Sequence, residues 1–163
     1  MPRRARPPAP PSPPHNHAQC VQSALLAADR VCTKRAMRLT PLRRRVLELV
    51  WSQHEPIGAY DILARLAVGG RKPAPPTVYR ALEFLIDAGL VHRIESLNAF
   101  KGCDSPEHAH RAQFLVCRAC HRVEEIDDRS LTRAIEARAK HSGFRLAPES
   151  FEVKGVCAEC AQG

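Results

Sequence analysis

Two Cys-x-x-Cys pairs, Cys117/Cys120 and Cys157/Cys160, stand in the C-terminal third of this 163-residue chain. A pair three residues apart brings two sulfurs to one ion from a single tight turn, and a second pair completes the tetrahedral cage that Zn²⁺ prefers. Residues 121–156, between the pairs, form a stretch of 36 residues, longer than a compact zinc ribbon needs. That stretch must hold secondary structure of its own, so a metal here pins the end of a small folded lobe. Two disulfides or a dithiol redox site would use the same residue type. A lone redox motif needs no second pair, however, and seven cysteines leave one over if all others are bridged.

Composition divides the chain. The formal net charge of +8 is concentrated before residue 97: residues 1–18 carry three Arg and no acid, and residues 19–96 carry 12 Lys/Arg against 7 Asp/Glu. Residues 97–163 carry 10 of each and sum to zero. A basic lobe joined to a neutral metal-binding lobe fits a protein in which one half meets a polyanion while the other senses or assembles. Half of the 14 prolines fall in the first 14 residues, which reads as a solvated Pro/Arg-rich tail. There is no apolar run near the ~20 residues of a membrane span and no apolar signal-peptide core, so the expected location is the cytoplasm.

Residues 20–36 place Val21, Leu25, Ala28 and Cys32 at helical spacing. A second helix starts at Thr40, a good N-cap, with Pro41 at the first helical position. Its apolar face is Leu42, Val46, Leu49 and Val50, with Arg43, Arg44 and Arg45 mostly off that face and assigned to solubilising charge. A third helix over 59–68 buries Ile62, Leu63 and Leu66 and stops before Gly69-Gly70. After a proline-rich turn over 72–76 comes a fourth helix over 77–88, closed by Gly89. It turns Val78, Leu82, Leu85 and Ile86 inward and Thr77, Arg80, Glu83 and Asp87 outward, with Tyr79 flanking. Two short strands, 90–95 and 99–101, flank a turn at 96–98. This is the order of a winged helix-turn-helix, whose fourth helix would enter the DNA major groove. Arg80 suits a bidentate base contact, and Thr77 and Tyr79 suit phosphate or thymine-methyl contacts; exposed surface residues would look the same.

The second lobe reads as strand 114–116, strand 123–126, helix 131–141 stopped at Gly143, and strand 151–156. The expected fold is therefore α+β: a winged-helix lobe plus a small lobe stapled by a four-cysteine zinc site. The divisions are 1–18 tail, 19–96 DNA-binding domain, 97–104 wing end and hinge, and 105–163 dimerisation and zinc-binding domain. An α+β lobe this small usually gains stability from a partner chain as well as from its metal.

The ordered segments Arg38-Leu39-Thr40-Pro41, Ala59-Tyr60-Asp61, Pro75 to Leu82, Val91 to Ser96 and the two Cys pairs resemble the ferric uptake regulator family, and within it the zinc uptake regulators. The resemblance covers residues 20–160. It implies a homodimer that binds operator DNA and represses genes when zinc is bound as co-repressor, with Tyr60 and Arg80 standing at DNA-contact positions. It also implies a sensing site whose zinc-type ligands fall on His92 in the wing, Cys103 in the hinge, and His110 and Glu125 in the dimerisation lobe. Two imidazoles, a thiolate and a carboxylate suit four-coordinate Zn²⁺. With the four-cysteine site, that gives about two zinc ions per chain. Such an ion would bolt the lobes together and hold paired recognition helices near the roughly 34 Å spacing of successive major grooves.

Iron-type members carry an Asp and a His where this chain has Gln113 and Phe114, which favours zinc over iron. His108 competes with His110, and His141 is a candidate for a secondary site. His54 and His121 read as surface residues, and Cys20 and Cys32 as helix-packing thiols. The alternatives on the same scaffold are an iron, manganese or peroxide sensor. A zinc hydrolase or deaminase is a different class, but no Cys pair follows the proline that the deaminase pattern requires, so no enzyme is expected. A zinc-stapled protein-interaction module is the third reading.

Overall fold

The structure is a computed structural model that describes residues 17–53, 55–68, 73–108, 112–146 and 151–162. Residues 1–16 of the tail, His54, the Gly69-Gly70 stop and the candidate ligand His110 lie outside the described residues, and residues 17 and 18, expected in the tail, are already helical. The chain divides into two compact units, one within residues 11–109 and one built from residues 110–163.

In the first unit, four helices precede a hairpin: α1 His17–Lys34, α2 Pro41–Trp51, α3 Ala59–Ala67, α4 Pro75–Asp87, β1 Val91–Ile94 and β2 Ala99–Gly102. Helix α2 begins as its sequence dictates. The Thr40 hydroxyl accepts a hydrogen bond from Arg43 N–H at 3.4 Å, and Pro41 fills a position where no backbone donor is needed. Helix α4 starts at Pro75, two residues before the expected Thr77, because Pro75 and Pro76 both fit the first turn, whose N–H groups have no intrahelical acceptor. It ends in a Schellman turn: Gly89 takes φ +69°, Leu90 N–H donates to Leu85 C=O, and Gly89 N–H donates to Ile86 C=O, each at 2.8 Å.

The helices bury one shared core. Val46, Leu47, Leu49 and Val50 of α2 meet Ile62 and Leu63 of α3 and Val78, Ala81, Leu82 and Leu85 of α4. Leu47 is buried where Leu42 was expected, and Leu42, Leu66 and Ile86 pack at the margin. The hairpin is antiparallel, with His92 opposite Lys101 and Val91 opposite Gly102, and a 3-10 turn over Glu95–Leu97 connects the strands. Asn98 closes that turn in the left-handed region, at φ 47°, which asparagine tolerates better than most residues. Ile57, between α2 and α3, exchanges two backbone hydrogen bonds with Phe100, at 2.8 and 2.9 Å, and so joins the wing to the helices.

The second unit contains β3 Gln113–Cys117, β4 Val123–Ile126, α5 Arg129–His141, β5 Phe151–Gly155 and a short α6 Ala158–Ala161. Strand β3 is central, antiparallel to β4 and parallel to β5. The stretch between the Cys pairs thus holds a strand, a helix and a second strand, as its length requires. Asp128 caps α5 by accepting from the N–H groups of Ser130 (2.7 Å) and Leu131 (3.2 Å). Gly143, at φ +75°, ends it in a second Schellman turn with Phe144 N–H on Ala139 C=O at 2.8 Å.

Candidate metal centres and nucleic-acid interface

Two tight turns bring the four cysteines of the second unit together. Cys117 ends β3 and Cys120 closes the turn after it, while Cys157 caps the N-terminus of α6 and Cys160 lies within that helix. All four sulfurs lie within 4.8 Å of one another. A tetrahedron with Zn–S bonds of about 2.3 Å has edges of about 3.8 Å, and the Cys120 and Cys157 sulfurs are 3.8 Å apart. The donor set and the spacing both fit zinc.

The local electrostatics prepare the cage for a cation. Backbone N–H groups of Cys120 and, next, Cys157 donate to the Cys117 sulfur and hold its thiol down to about 6. The Cys160 thiol is pushed up to about 12, first by its hydrogen bond with Cys157 and then by the one with Cys120. Burial pushes Cys120 up. Four sulfurs this close cannot all ionise beside one another without a cation, and a divalent ion removes that conflict. His121 takes φ 65° and its N–H donates to Cys117 C=O at 3.0 Å, so it shapes the first turn rather than merely facing solvent. The Arg122–Glu159 ion pair, 2.9 Å, ties that turn to the second.

Gln113 and Phe114 are committed to structure. Phe114 is fully buried, and the Gln113 amide donates to Asp128 C=O at 2.7 Å and to Thr132 Oγ1 at 2.6 Å, joining β3 to the start of α5. Neither is available as a ligand of the iron type.

In the first unit, His92 lies on β1 and Cys103 immediately after β2. His92 faces Lys101 across the hairpin, so residue 103 is its diagonal neighbour on the same side. A ring nitrogen of His92 and the Cys103 sulfur lie within 4.8 Å of each other. Cys103 is buried, and its N–H donates to Leu90 C=O at 3.0 Å. Nitrogen and sulfur donors at that separation fit one side of a zinc coordination sphere. Glu125 lies half-buried on β4 of the second unit, opposite Phe114. His108 and His141 are exposed. Cys32 is buried in the α1 packing and Cys20 half-buried.

The DNA-reading candidates are all exposed. Thr77, Tyr79 and Arg80 share the outer side of α4, and Tyr60, on α3, is 74% exposed. The arginines of α2 are less idle than their sequence implies. Arg43 stacks 3.5 Å over the Phe84 ring and donates to Arg38 C=O, Arg44 pairs with Asp29, and Arg45 pairs with Glu48. Through Arg43 and Arg44, α2 is tied to α4 and α1, which sequence spacing could not reveal because those partners lie on other elements.

Comparison with known proteins gives the context for these sites. The ferric uptake regulator family model matches residues 34–154. The chain is similar to the zinc uptake regulation protein of Escherichia coli (strain K12), at 37% identity over 144 residues, covering 86% of this chain and 83% of that protein. It is similar to the ferric uptake regulation protein of the same strain at 33%, covering 77% and 85%. Among solved structures, a zinc uptake regulator complexed with zinc and DNA matches with TM-score 0.80 and 36% identity, over 87% of this chain and 95% of that one. The structure of holo XcZur matches with TM-score 0.78 and 43% identity, over 86% and 99%. A match over most of the chain, on a four-helix-and-hairpin unit followed by a unit with a four-cysteine cage, has one reading: the chain belongs to the ferric uptake regulator family.

Proposed function

We propose that this protein is a zinc-responsive transcriptional repressor of zinc-uptake and zinc-homeostasis genes, with zinc as co-repressor and a homodimer as the DNA-binding form. The observation that carries the zinc assignment is the pair of sulfur-containing donor groups, the four-cysteine cage in the second unit and His92 with Cys103 in the first, together with Gln113 and Phe114 where an iron-type site would need ligands. Relatives named as zinc uptake regulators, one of them solved with zinc and DNA, support it.

In this reading Cys117, Cys120, Cys157 and Cys160 hold a structural zinc. His92 and Cys103 serve a regulatory zinc, for which Glu125 and His110 are the remaining candidate ligands, giving about two ions per chain. Arg80, Thr77 and Tyr79 on α4 and Tyr60 on α3 contact the operator. The role is regulatory, not catalytic. The thiol-rich cages imply a reduced, cytoplasmic setting, and among the described residues no helix is long and apolar enough to cross a membrane. Dimerisation is supported by the second unit's uncovered apolar side chains, Leu115, Val153, Val156 and Phe144, and by α5, none of whose residues is buried.

The regulatory logic is linkage: if zinc binds the DNA-competent form better, operator DNA must tighten zinc binding by the same factor. A coupling of about 1–3 kcal/mol shifts affinity roughly 5- to 150-fold. The test is operator binding at buffered free zinc, with manganese and ferrous iron as competitors. His92→Ala and Cys103→Ser should abolish zinc-dependent binding and leave a folded dimer that keeps the ion of the four-cysteine cage. Binding that is indifferent to zinc, or that follows manganese or iron instead, would overturn the assignment.

A further inference from the structure

Cys103 has a neighbour that the ligand set does not explain. The residue before it, Gly102, ends β2 and is buried against the side chain of Trp51, the last residue of α2. A Cβ on residue 102 would lie 2.3 Å from both Cε2 and Nε1 of the indole and 2.8 Å from Cζ2. The two shorter distances are about 1 Å inside van der Waals contact. Gly102 needs no left-handed backbone, so the glycine is required for space and not for conformation. The indole sits in the notch that its missing side chain leaves.

We propose that Trp51 is a positioning residue for the regulatory metal site: its indole, seated on Gly102, sets the height of the β2 end and so the place of the Cys103 sulfur. This rests on the regulatory role given above to His92 and Cys103. Two restraints converge on Cys103, the ladder hydrogen bond from its N–H to Leu90 and the ring beneath the preceding residue. The ring is itself held. Trp51 packs against the helical core, and the turn after it is pinned to α3 by Arg65, which donates to Ser52 Oγ at 3.1 Å and to Gln53 Oε1 at 2.6 Å. Trp51 and Cys103 also line the same cleft, of about 540 Å³, with Leu47 and Leu90. Metal–ligand distances in a well-formed site hold to about 0.2 Å, so a displacement of residue 102 by about 1 Å to relieve such a clash would carry the Cys103 sulfur out of that range.

The experiment uses the full-length protein with the zinc of its four-cysteine cage retained, verified by metal analysis, and measures affinity for the second, labile zinc by chelator competition. Gly102→Ala should weaken that affinity by about 10-fold or more, the scale on which loss of supporting residues damages metal sites. Adding Trp51→Ala to Gly102→Ala clears space for the new methyl and should recover part of the loss. Trp51→Phe, which withdraws the indole edge but keeps an aromatic ring, is the second single variant and should lose less than Gly102→Ala. Trp51 is the chain's single tryptophan, so its emission should change when the labile zinc binds and stay unchanged in Cys103→Ser. If wild-type protein binds the labile ion but Gly102→Ala and Trp51→Phe match its affinity, or the emission is unmoved, the buttress is refuted alone. Wild-type protein that takes up no second ion overturns the regulatory site, and this proposal with it.

Discussion

Replacing Cys157 by serine should unfold the second unit and spare the first. Among its described residues, the second unit buries three large apolar side chains, Phe114, Val116 and Val123, and neither α5 nor β5 buries any. Each such side chain contributes about 1.5–3 kcal/mol of gross burial. A structural zinc contributes roughly 10–16 kcal/mol of apparent binding energy in small metal-folded units, so the ion outweighs the core that surrounds it. Serine offers no thiolate, and the remaining three sulfurs cannot close the tetrahedron.

The chain allows the two units to be watched separately. Its one tryptophan, Trp51, and both tyrosines, Tyr60 and Tyr79, belong to the first unit. Far-ultraviolet circular dichroism of Cys157→Ser should therefore lose the contribution of α5 and the three-stranded sheet, while the thermal transition of Trp51 emission survives. Metal analysis should show loss of the tightly held ion. A variant that keeps the full ellipticity and melts within about 4 °C of wild type, the shift produced by ~1 kcal/mol in a domain of this size, would refute the argument that metal rather than packing folds this unit.

Two further outcomes follow from the same geometry. Arg80→Ala should weaken operator binding by about 1–3 kcal/mol and relax preference at one base pair, whereas a phosphate contact would lose affinity evenly across sequences; electrophoretic mobility shifts on operator variants distinguish the two. The donors that hold Cys117 down to about 6 include Cys120 and Ala119 in its own turn, so above that pH its sulfur is a thiolate wherever that turn is formed. Its charge-dependent stabilisation is complete above the ordinary thiol range and is lost as pH falls through about 6. If the short Cys117–Cys120 turn persists when the rest of the unit unfolds without metal, zinc uptake by the four-cysteine cage at neutral pH should release fewer than four protons per ion, rising by one below about pH 6. Calorimetry in buffers of different ionisation enthalpy counts them, and release of all four at neutral pH would contradict the assignment.

The site was legible where ligand chemistry is local. Cys-x-x-Cys is a short-range pattern, and four such sulfurs have few other uses. His92 and Cys103 carry no comparable spacing signal, and only the hairpin register sets them on one side. Gln113 reads as an ordinary polar residue until Thr132 and Asp128, distant in sequence, are seen to accept its amide.

By itself the sequence determined the elements whose causes lie within a few residues: the Thr40-Pro41 start of α2, the Gly89 and Gly143 stops, the amphipathic faces of α3 and α4, and the two Cys-x-x-Cys turns. These follow from capping, backbone freedom and periodicity, which are properties of adjacent residues. Only the tertiary structure decided that β3 lies between β4 and a parallel β5, that Ile57 joins the wing, and that Arg44 and Arg43 of α2 are spent on Asp29 and Phe84. It alone brought Trp51 onto Gly102. Such contacts mostly join residues far apart in the chain, and their choice depends on how all the buried faces fit at once, which no local pattern encodes.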